Sequence, residues 1–89
     1  MINIFLAPGL RRLCGGVART AVDAGDVGSA LDALFRKHPP LAEMLSPPLA
    51  ATSSVRVFHG EVDVTAPEQA VRALSPGDEL MLVHAVAGG

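Results

Sequence analysis

Apolar and polar residues alternate with a period of two in several short stretches of this chain, a pattern typical of half-buried β-strands. In the first stretch, Ile2, Ile4 and Leu6 fall on one face of a predicted strand. Asn3 and Phe5 fall on the opposite face. We expect the first of these faces to contribute to the hydrophobic core.

Further strands are predicted wherever the alternation recurs between turn signals. They cover residues 17–22, 55–58, 62–64 and 79–83. The turn signals are Pro8-Gly9, Gly15-Gly16, His59-Gly60 and Ser75-Pro76-Gly77-Asp78. The first two strands are therefore expected to be joined by a loop that is too long for a tight turn.

One segment has the 3.6-residue period of an amphipathic helix. Its apolar stripe consists of Val27, Ala30, Leu31, Leu34 and Phe35. Asp26 is a suitable N-cap for this helix. Pro39-Pro40 prevents its continuation, so we expect it to end near Lys37.

Two shorter helical turns are predicted later in the chain. The first covers residues 41–45 and is started by Pro40. The second covers residues 67–73, where Thr65 and Glu68 have the spacing of a capping box.

This order of elements predicts an α+β fold with a mixed sheet of four to five strands, covered on one face by one main helix. The first and last strands are the most continuously apolar, so we expect them to be neighbours in the centre of the sheet. Residues 1–84 would form one domain, and residues 85–89 a flexible tail that ends in Gly-Gly.

The face of the sheet away from the helix has no second layer of predicted elements to cover it. It is expected to carry Phe5, Met81 and Val83, with Val62 as a fourth member. Exposed apolar patches of this kind often mark contact surfaces. We therefore predict that these four residues bind a protein partner.

Composition removes several classes of function. The chain has 89 residues, a net charge of −2 and three aromatic residues, all Phe, which is unlike a nucleic-acid-binding protein. It has no run of about 18–20 apolar residues, so no membrane association is expected. Its single cysteine, Cys14, is compatible with a reducing compartment, so a cytoplasmic location is expected.

The last residues of the sequence are Val86-Ala87-Gly88-Gly89. Glycine has no Cβ, so two in succession let the walls of a partner's active site close around the chain. The five residues 85–89, if extended, would reach roughly 15–18 Å. The chemical group that this tail would deliver is the α-carboxylate of Gly89. A frayed terminus is the plain alternative, because termini are commonly poorly ordered.

The remaining side chains form no recognisable catalytic or metal-binding motif. Cys14, between Leu13 and Gly15, is more typical of a small buried hydrophobic residue than of a nucleophile. His38, His59 and His84 lack ligand-pair spacing, so no metal site is predicted.

Taken together, several of these segments resemble the small sulfur-carrier proteins of the MoaD/ThiS type. They are the strand Ile2-Asn3-Ile4, the sequence Leu10-Arg11-Arg12-Leu13 with Gly15, the helix 27–35, the turn Pro76-Gly77-Asp78-Glu79-Leu80 and the final Val86-Ala87-Gly88-Gly89. The resemblance covers nearly the whole chain. It implies the ubiquitin-like β-grasp fold, although Phe58-His59-Gly60 departs from the Val-Asn-Gly-like turn of many relatives.

The resemblance also implies a function. In such carriers, an ATP-dependent adenylyltransferase related to ubiquitin-activating enzymes adenylates the terminal glycine, here Gly89. Sulfur then replaces AMP, and the thiocarboxylate is passed to a sulfur-accepting biosynthetic enzyme. The chain would be a co-substrate of partner enzymes and not itself an enzyme. It would carry no cofactor, because ATP, Mg²⁺ and any zinc would belong to the activating partner.

Two other functions use the same residues differently. A ubiquitin-like modifier would be joined through the activated Gly89 to lysines of other proteins. An interaction module of the same fold would leave Gly88-Gly89 idle.

Overall fold

The computed structural model describes residues 1–44 and 55–84. Within these ranges the chain forms five strands, three α-helices and two 3₁₀ turns. The strands are β1 (Ile2–Leu6), β2 (Arg19–Val22), β3 (Val55–His59), β4 (Val62–Asp63) and β5 (Glu79–His84). The α-helices are α1 (Pro8–Arg11), α2 (Val27–Lys37) and α3 (Pro39–Met44), and the 3₁₀ turns are Arg12–Cys14 and Pro67–Val71.

The five strands form one mixed sheet in the order β2-β1-β5-β3-β4. β1 and β5 are parallel neighbours, and the other three pairs are antiparallel. Ile4 lies opposite Leu80, and both side chains are buried on the face of the sheet that the helices cover. The predicted α+β fold is therefore confirmed, including the central pairing of the first and last strands.

Helix α2 covers one face of the sheet. The Asp26 side chain accepts a hydrogen bond from the Ser29 backbone N–H at 2.7 Å, which satisfies one of the free donors at the start of the helix. Val27, Ala30, Leu31 and Leu34 are fully buried, whereas Phe35 is half-buried at the edge of the core. The predicted cap, apolar stripe and C-terminus of this helix are all confirmed.

The core lies between α2 and the inner face of the sheet. Besides the four buried residues of α2, it contains Cys14 and a set of aliphatic residues from the strands, the other helices and the loops. These are Ile2, Ile4, Leu6, Leu10, Val22, Leu41, Val55, Val57, Val64, Leu74, Leu80 and Leu82. Each buried aliphatic side chain contributes about 1.5–3 kcal/mol to the free energy of folding.

The connection between β1 and β2 is helical, not the open loop expected from Pro8-Gly9. Proline is tolerated in the first turn of a helix, where its missing N–H has no partner to lose. Pro8 is the first residue of α1, which buries Leu10, and the 3₁₀ turn that follows it buries Cys14. β2 starts at Arg19 and not at residue 17, because the pairing with β1 begins at Arg19, opposite Phe5. Val17 precedes the strand and is exposed.

Gly60 and Gly77 each give a turn beside the sheet the positive φ that favours glycine. The hairpin between β3 and β4 has Gly60 at φ 64°. His59 is the last residue of β3, because it pairs with Leu80 and Val62. In the turn Ser75–Asp78, Gly77 has φ 91° and follows Pro76, which is the pattern of a type II turn. The Asp78 N–H closes this turn on the Ser75 carbonyl at 2.9 Å.

The capping box predicted at Thr65 and Glu68 is absent. The 3₁₀ turn Pro67–Val71 begins after Ala66 and has no side-chain cap. Thr65 is buried, and its hydroxyl accepts a hydrogen bond from the Val57 N–H at 2.8 Å. The hydroxyl thus supplies an acceptor to β3 beyond the point where the short strand β4 ends.

The same hydroxyl holds Asp63. It donates to Asp63 Oδ1 at 2.6 Å, and Arg56 forms an ion pair with Asp63 Oδ2 at 2.7 Å. The hydrogen bond from Thr65 is the main reason why the pKa of Asp63 falls to about 2, and Arg56 lowers it further. The ionised carboxylate is therefore a part of the folded β3–β4 hairpin.

Gly28 provides a test of how closely α2 approaches the second 3₁₀ turn. A Cβ at this position would lie 3.1 Å from both the Cβ and the carbonyl oxygen of Ala70. We expect Gly28→Val to lower the free energy of unfolding by about 1–3 kcal/mol, because the backbone must move apart. Gly25→Val is the control, since no atom lies within 4 Å of its added Cβ. Equal urea midpoints for the two variants would contradict this close packing.

Asp63 provides a test of the hairpin in acid. Since its pKa is about 2 in the folded state and 3.8 ordinarily, its stabilisation is complete above about pH 4 and is lost as the pH falls toward 2. We expect Asp63→Asn to be less stable than the wild type above pH 4 and to lose less stability in acid. Urea unfolding at several pH values measures both effects. Asp32→Asn, an exposed position on α2, should keep the pH dependence of the wild type.

Candidate functional site

The face of the sheet away from α2 carries one row of side chains that crosses all five strands. Residues paired across a sheet point to the same face. The pairings place Arg19, Phe5, Met81, Phe58 and Asp63 in this row, in that order. Its centre is apolar and its two ends carry opposite charges.

We call the central part of this row, with the neighbouring Val83, the open face. Met81 is 49% exposed, and Phe5, Phe58 and Val83 are half-buried. Two shallow depressions flank Met81. One of about 210 Å³ lies toward Phe58 and Glu79, and one of about 290 Å³ lies toward Ala18 and Arg11.

The structure brings together three of the four residues predicted for this face. Phe5 and Met81 are direct neighbours, and Val83 lies two residues further along β5. The placement of Val62 was wrong. Val62 pairs with His59, which in turn pairs with the inward-facing Leu80, so Val62 is on the helix-covered side at the sheet edge.

Phe58 belongs to the open face and Arg19 lies at its edge, but neither was predicted there. Phe58 could have been found, because Val55 and Val57 are buried and alternate with it in β3. The Arg19 guanidinium lies 5.9 Å from the centre of the Phe5 ring, a cation–π distance. Its position depends on the register of β1 and β2, which local sequence does not reveal.

The charges around the open face differ in how they are neutralised. Asp63 is paired with Arg56. The Arg11 Nε–H donates to the Leu6 carbonyl at 3.0 Å, a neutral acceptor. Among residues 1–44 and 55–84, no carboxylate forms an ion pair with Arg11 or Arg19.

β5 leads from the centre of the sheet toward the predicted tail. Because β5 is parallel to β1, it ends at the same edge of the sheet as β1 does. The Ala7 N–H donates to the Leu82 carbonyl at 2.9 Å, and Gly9 lies beside His84. The tail residues Val86, Ala87, Gly88 and Gly89 lie outside the described residues, so their roles remain predictions.

A polar network fixes the start of β5. Arg72 Nε–H donates to His59 Nδ1 at 2.9 Å, and His59 Nε2 contacts Asp78 Oδ2 at 3.1 Å. Arginine has no acceptor, so Nδ1 must be unprotonated and Nε2–H donates to Asp78. Asp78 also accepts from the Ser75 N–H at 2.9 Å, which lowers the pKa of its carboxyl group. This network joins residues far apart in sequence and has no local signal.

The side chains considered as catalytic or metal-binding groups are placed as follows where they are described. Cys14 is 1% exposed, and burial raises the pKa of its thiol, so it is a core residue. Within residues 1–44 and 55–84, no group of three His, Cys, Asp or Glu could hold a metal ion. No helix of the described residues is long and apolar enough to cross a membrane.

Comparison with known proteins identifies the fold. No protein-family model and no curated protein sequence matches the chain. CysO from Mycobacterium tuberculosis superposes with a TM-score of 0.77 at 19% identity, over 97% of this chain and 100% of that chain. A chain of the BexX/CysO complex from Amycolatopsis orientalis gives 0.76 at 21% identity, over the full length of both.

The small archaeal modifier protein SAMP1 from Haloferax volcanii is also similar. Its TM-score is 0.69 at 29% identity, over 99% of this chain and 98% of that chain. These neighbours comprise sulfur carriers and ubiquitin-like modifiers. The chain thus has the ubiquitin-like β-grasp fold of the MoaD/ThiS-type sulfur carriers, which confirms the resemblance found in its sequence.

Proposed function

We propose that this chain is a cytoplasmic sulfur carrier that acts through the α-carboxylate of Gly89. A partner adenylyltransferase of the ubiquitin-activating type joins the carboxylate to AMP from ATP and releases pyrophosphate. Sulfide displaces AMP directly and leaves a thiocarboxylate. A persulfide donor displaces AMP to form an acyl disulfide, from which a second thiol of the partner releases the thiocarboxylate by forming a disulfide with the donor sulfur. ATP, Mg²⁺ and any zinc are held by the partner, and this chain supplies the acyl group.

The observation that carries the proposal is that one central strand, β5, contributes side chains to the open face and is followed directly in the sequence by the proposed tail. Met81 and Val83 are on the outer side of β5, and the residues that lead to Gly89 follow directly after His84. A partner that binds the open face is therefore aligned with the start of the tail. Five extended residues would carry the carboxylate roughly 15–18 Å into its active site.

The second partner is a biosynthetic enzyme that accepts the sulfur. We propose that this enzyme belongs to one of four kinds of pathway, namely the synthesis of molybdopterin, of cysteine, of thiamine or of a sulfur-containing secondary metabolite. A thiocarboxylate sulfur is a better nucleophile than a carboxylate oxygen, so the chain can deliver sulfur to an electrophilic precursor. The similarity of fold to CysO, a sulfur carrier, supports this proposal.

A modifier function is the second candidate, favoured by the 29% identity to SAMP1. Here the activated Gly89 would be attacked by a lysine amine of another protein and form an amide. Both functions begin with the same adenylate. They differ in the nucleophile that arrives next, so the product distinguishes them.

The first prediction for this function concerns Gly89. After incubation with such an adenylyltransferase, ATP and sulfide, we expect intact-mass spectrometry to show one oxygen replaced by sulfur. Fragmentation should place the change on the peptide that contains Gly89. Deletion of Gly89 should abolish the mass gain and leave the melting temperature within about 2 °C of the wild type, because surface changes of this kind cost little stability.

Each other outcome has a distinct meaning. Attachment of the intact chain to lysines would favour the modifier. An unchanged mass, with both the wild type and the deletion variant inert, would contradict activation at Gly89 altogether. A large loss of stability on deletion would show that the tail is part of the fold.

The second prediction concerns the open face. A carboxylate placed in the apolar centre of an interface would be desolvated without a partner, so Met81→Asp should weaken binding of the adenylyltransferase about 10-fold or more. Val83→Asp should act in the same direction. Val62→Asp is the matched control, because Val62 is 41% exposed but lies on the other side of the sheet. Equal affinity of the Met81 and Val62 variants, measured by calorimetry, would rule out docking through the open face.

A further inference from the structure

The positive charge beside the open face is left without a counterion by the described part of the chain. The central row begins with Arg19 and ends with Asp63, and within residues 1–44 and 55–84 only Asp63 of the two has an ion-pair partner, namely Arg56. Arg19 is exposed on the edge strand β2 and stacks over Phe5. One edge of the face is therefore basic, although the whole chain has a net charge of −2.

Arg11 adds a second cation to the same edge. It lines the depression of about 290 Å³ whose other walls are apolar, formed by Phe5, Leu6, Ala7, Pro8, Ala18 and Met81. Its Nε–H donates a hydrogen bond to the Leu6 carbonyl, which holds the guanidinium beside the depression. The depression thus has an apolar floor, Arg11 on its wall, and Arg19 over the ring of Phe5.

The depression is close to where the tail begins. Leu6 and Ala7 are at the C-terminal end of β1, and the Ala7 N–H is bonded to the Leu82 carbonyl near the end of β5. By contrast Glu79, the carboxylate of the second depression, lies at the beginning of β5. The basic end of the open face is the end nearer to His84, the last residue of β5.

The lining of the depression favours a protein side chain as occupant. Its volume of about 290 Å³ lies at the lower limit of the roughly 300–1,000 Å³ typical of small-molecule pockets, and it is open to solvent on one side. Two arginines on a chain of net negative charge are too few for the backbone of a nucleic acid. Guanidinium groups beside an apolar pocket match a carboxylate next to an apolar side chain, since arginine binds carboxylates in a bidentate manner.

We propose that the depression between Phe5, Met81 and Arg11 receives an acidic protein segment that inserts one apolar side chain and pairs its carboxylates with Arg11 and Arg19. Resting on the proposed function, the segment belongs to the adenylyltransferase and lies at the mouth of the site that takes the tail. Charges at the rim of an interface mainly accelerate association and exclude wrong partners. The arginines are thus recognition residues, not catalytic ones.

Kinetics with an adenylyltransferase that acts on the wild type provide the first test. Arg19→Glu should raise KM for the carrier about 10-fold and leave kcat unchanged, because the interaction is the same in the ground and transition states. Arg11→Gln keeps a donor for the Leu6 carbonyl and should raise KM about 2- to 5-fold. Arg36→Glu makes the same change of charge on α2, behind the sheet, and should act like the wild type.

The dependence of KM on ionic strength is an independent test of the same interaction. The wild-type KM should rise with ionic strength, and Arg19→Glu should flatten this dependence. An equal KM for Arg19→Glu and Arg36→Glu would overturn the proposal while leaving adenylation of Gly89 intact. The failure of the docking site and the failure of the proposed function are therefore distinguishable.

A test without the enzyme covers the case in which adenylation itself fails. The probe is a short acetylated peptide of alternating aspartate and leucine, titrated into the ¹⁵N-labelled chain and followed by NMR. We expect shifts confined to the backbone amides of Phe5, Ala18, Arg19 and Met81, and their loss in Arg19→Glu or in high salt. A peptide with lysine in place of aspartate should cause none.

Three results of the titration would overturn the proposal. The aspartate peptide could cause no localised shifts, or the lysine peptide could cause the same ones. A single-stranded oligonucleotide could shift these amides at lower concentration than the peptide, which would show a preference for nucleic acid. The folded state of each variant is checked by its melting temperature, so that loss of shifts is not caused by unfolding.

Discussion

The parallel pairing of β1 with β5 is the constraint on which the rest of the structure depends. Parallel strands cannot be joined by a tight turn, so most of the chain forms the crossover between them. The pairing sets Ile4 beside Leu80 in the core and Phe5 beside Met81 on the open face. A slip of one residue in either strand would exchange these faces, expose the core row and bury the contact row. The same register therefore determines both the stability of the domain and the surface it presents.

Several hydrogen bonds fix this register at its two ends. At the start of β5, the Asn3 N–H donates to the Asp78 carbonyl, while the Asp78 side chain is held by His59 and by the Ser75 N–H. At the other end, the Ala7 N–H donates to the Leu82 carbonyl. The backbone of β5 is thus bonded on both sides and at both ends. In the proposed function, the tail accordingly begins from a fixed point at the edge of the open face.

The elements that were predicted correctly from the sequence are those with a local signal. Alternation gave the faces of β1 and β5, and the spacing from Val27 to Leu34 gave the buried side of α2. Errors occurred where a residue's partner is distant or its strand is short. The hydroxyl of Thr65 bonds to Val57, eight residues away, in preference to the local cap. Val62 has the same parity as the buried Val64, which would have placed it on the helix-covered side. The stacking of Arg19 on Phe5 and the bonding of His59 to Arg72 depend on strand register and tertiary packing, so no periodicity reveals them.

The division of work between the open face and the tail follows from the chemistry of glycine. A partner distinguishes one protein from another by a difference in binding free energy, which requires side chains that differ. Gly88 and Gly89 have none, and Ala87 has a single methyl group, so the last three residues of the tail can offer a partner little more than backbone and a carboxylate. In the proposed function, the discrimination between this carrier and others must therefore come from the domain. The open face meets that requirement, because Phe5, Met81 and Phe58 supply apolar area and Arg19 supplies a positive charge at its edge.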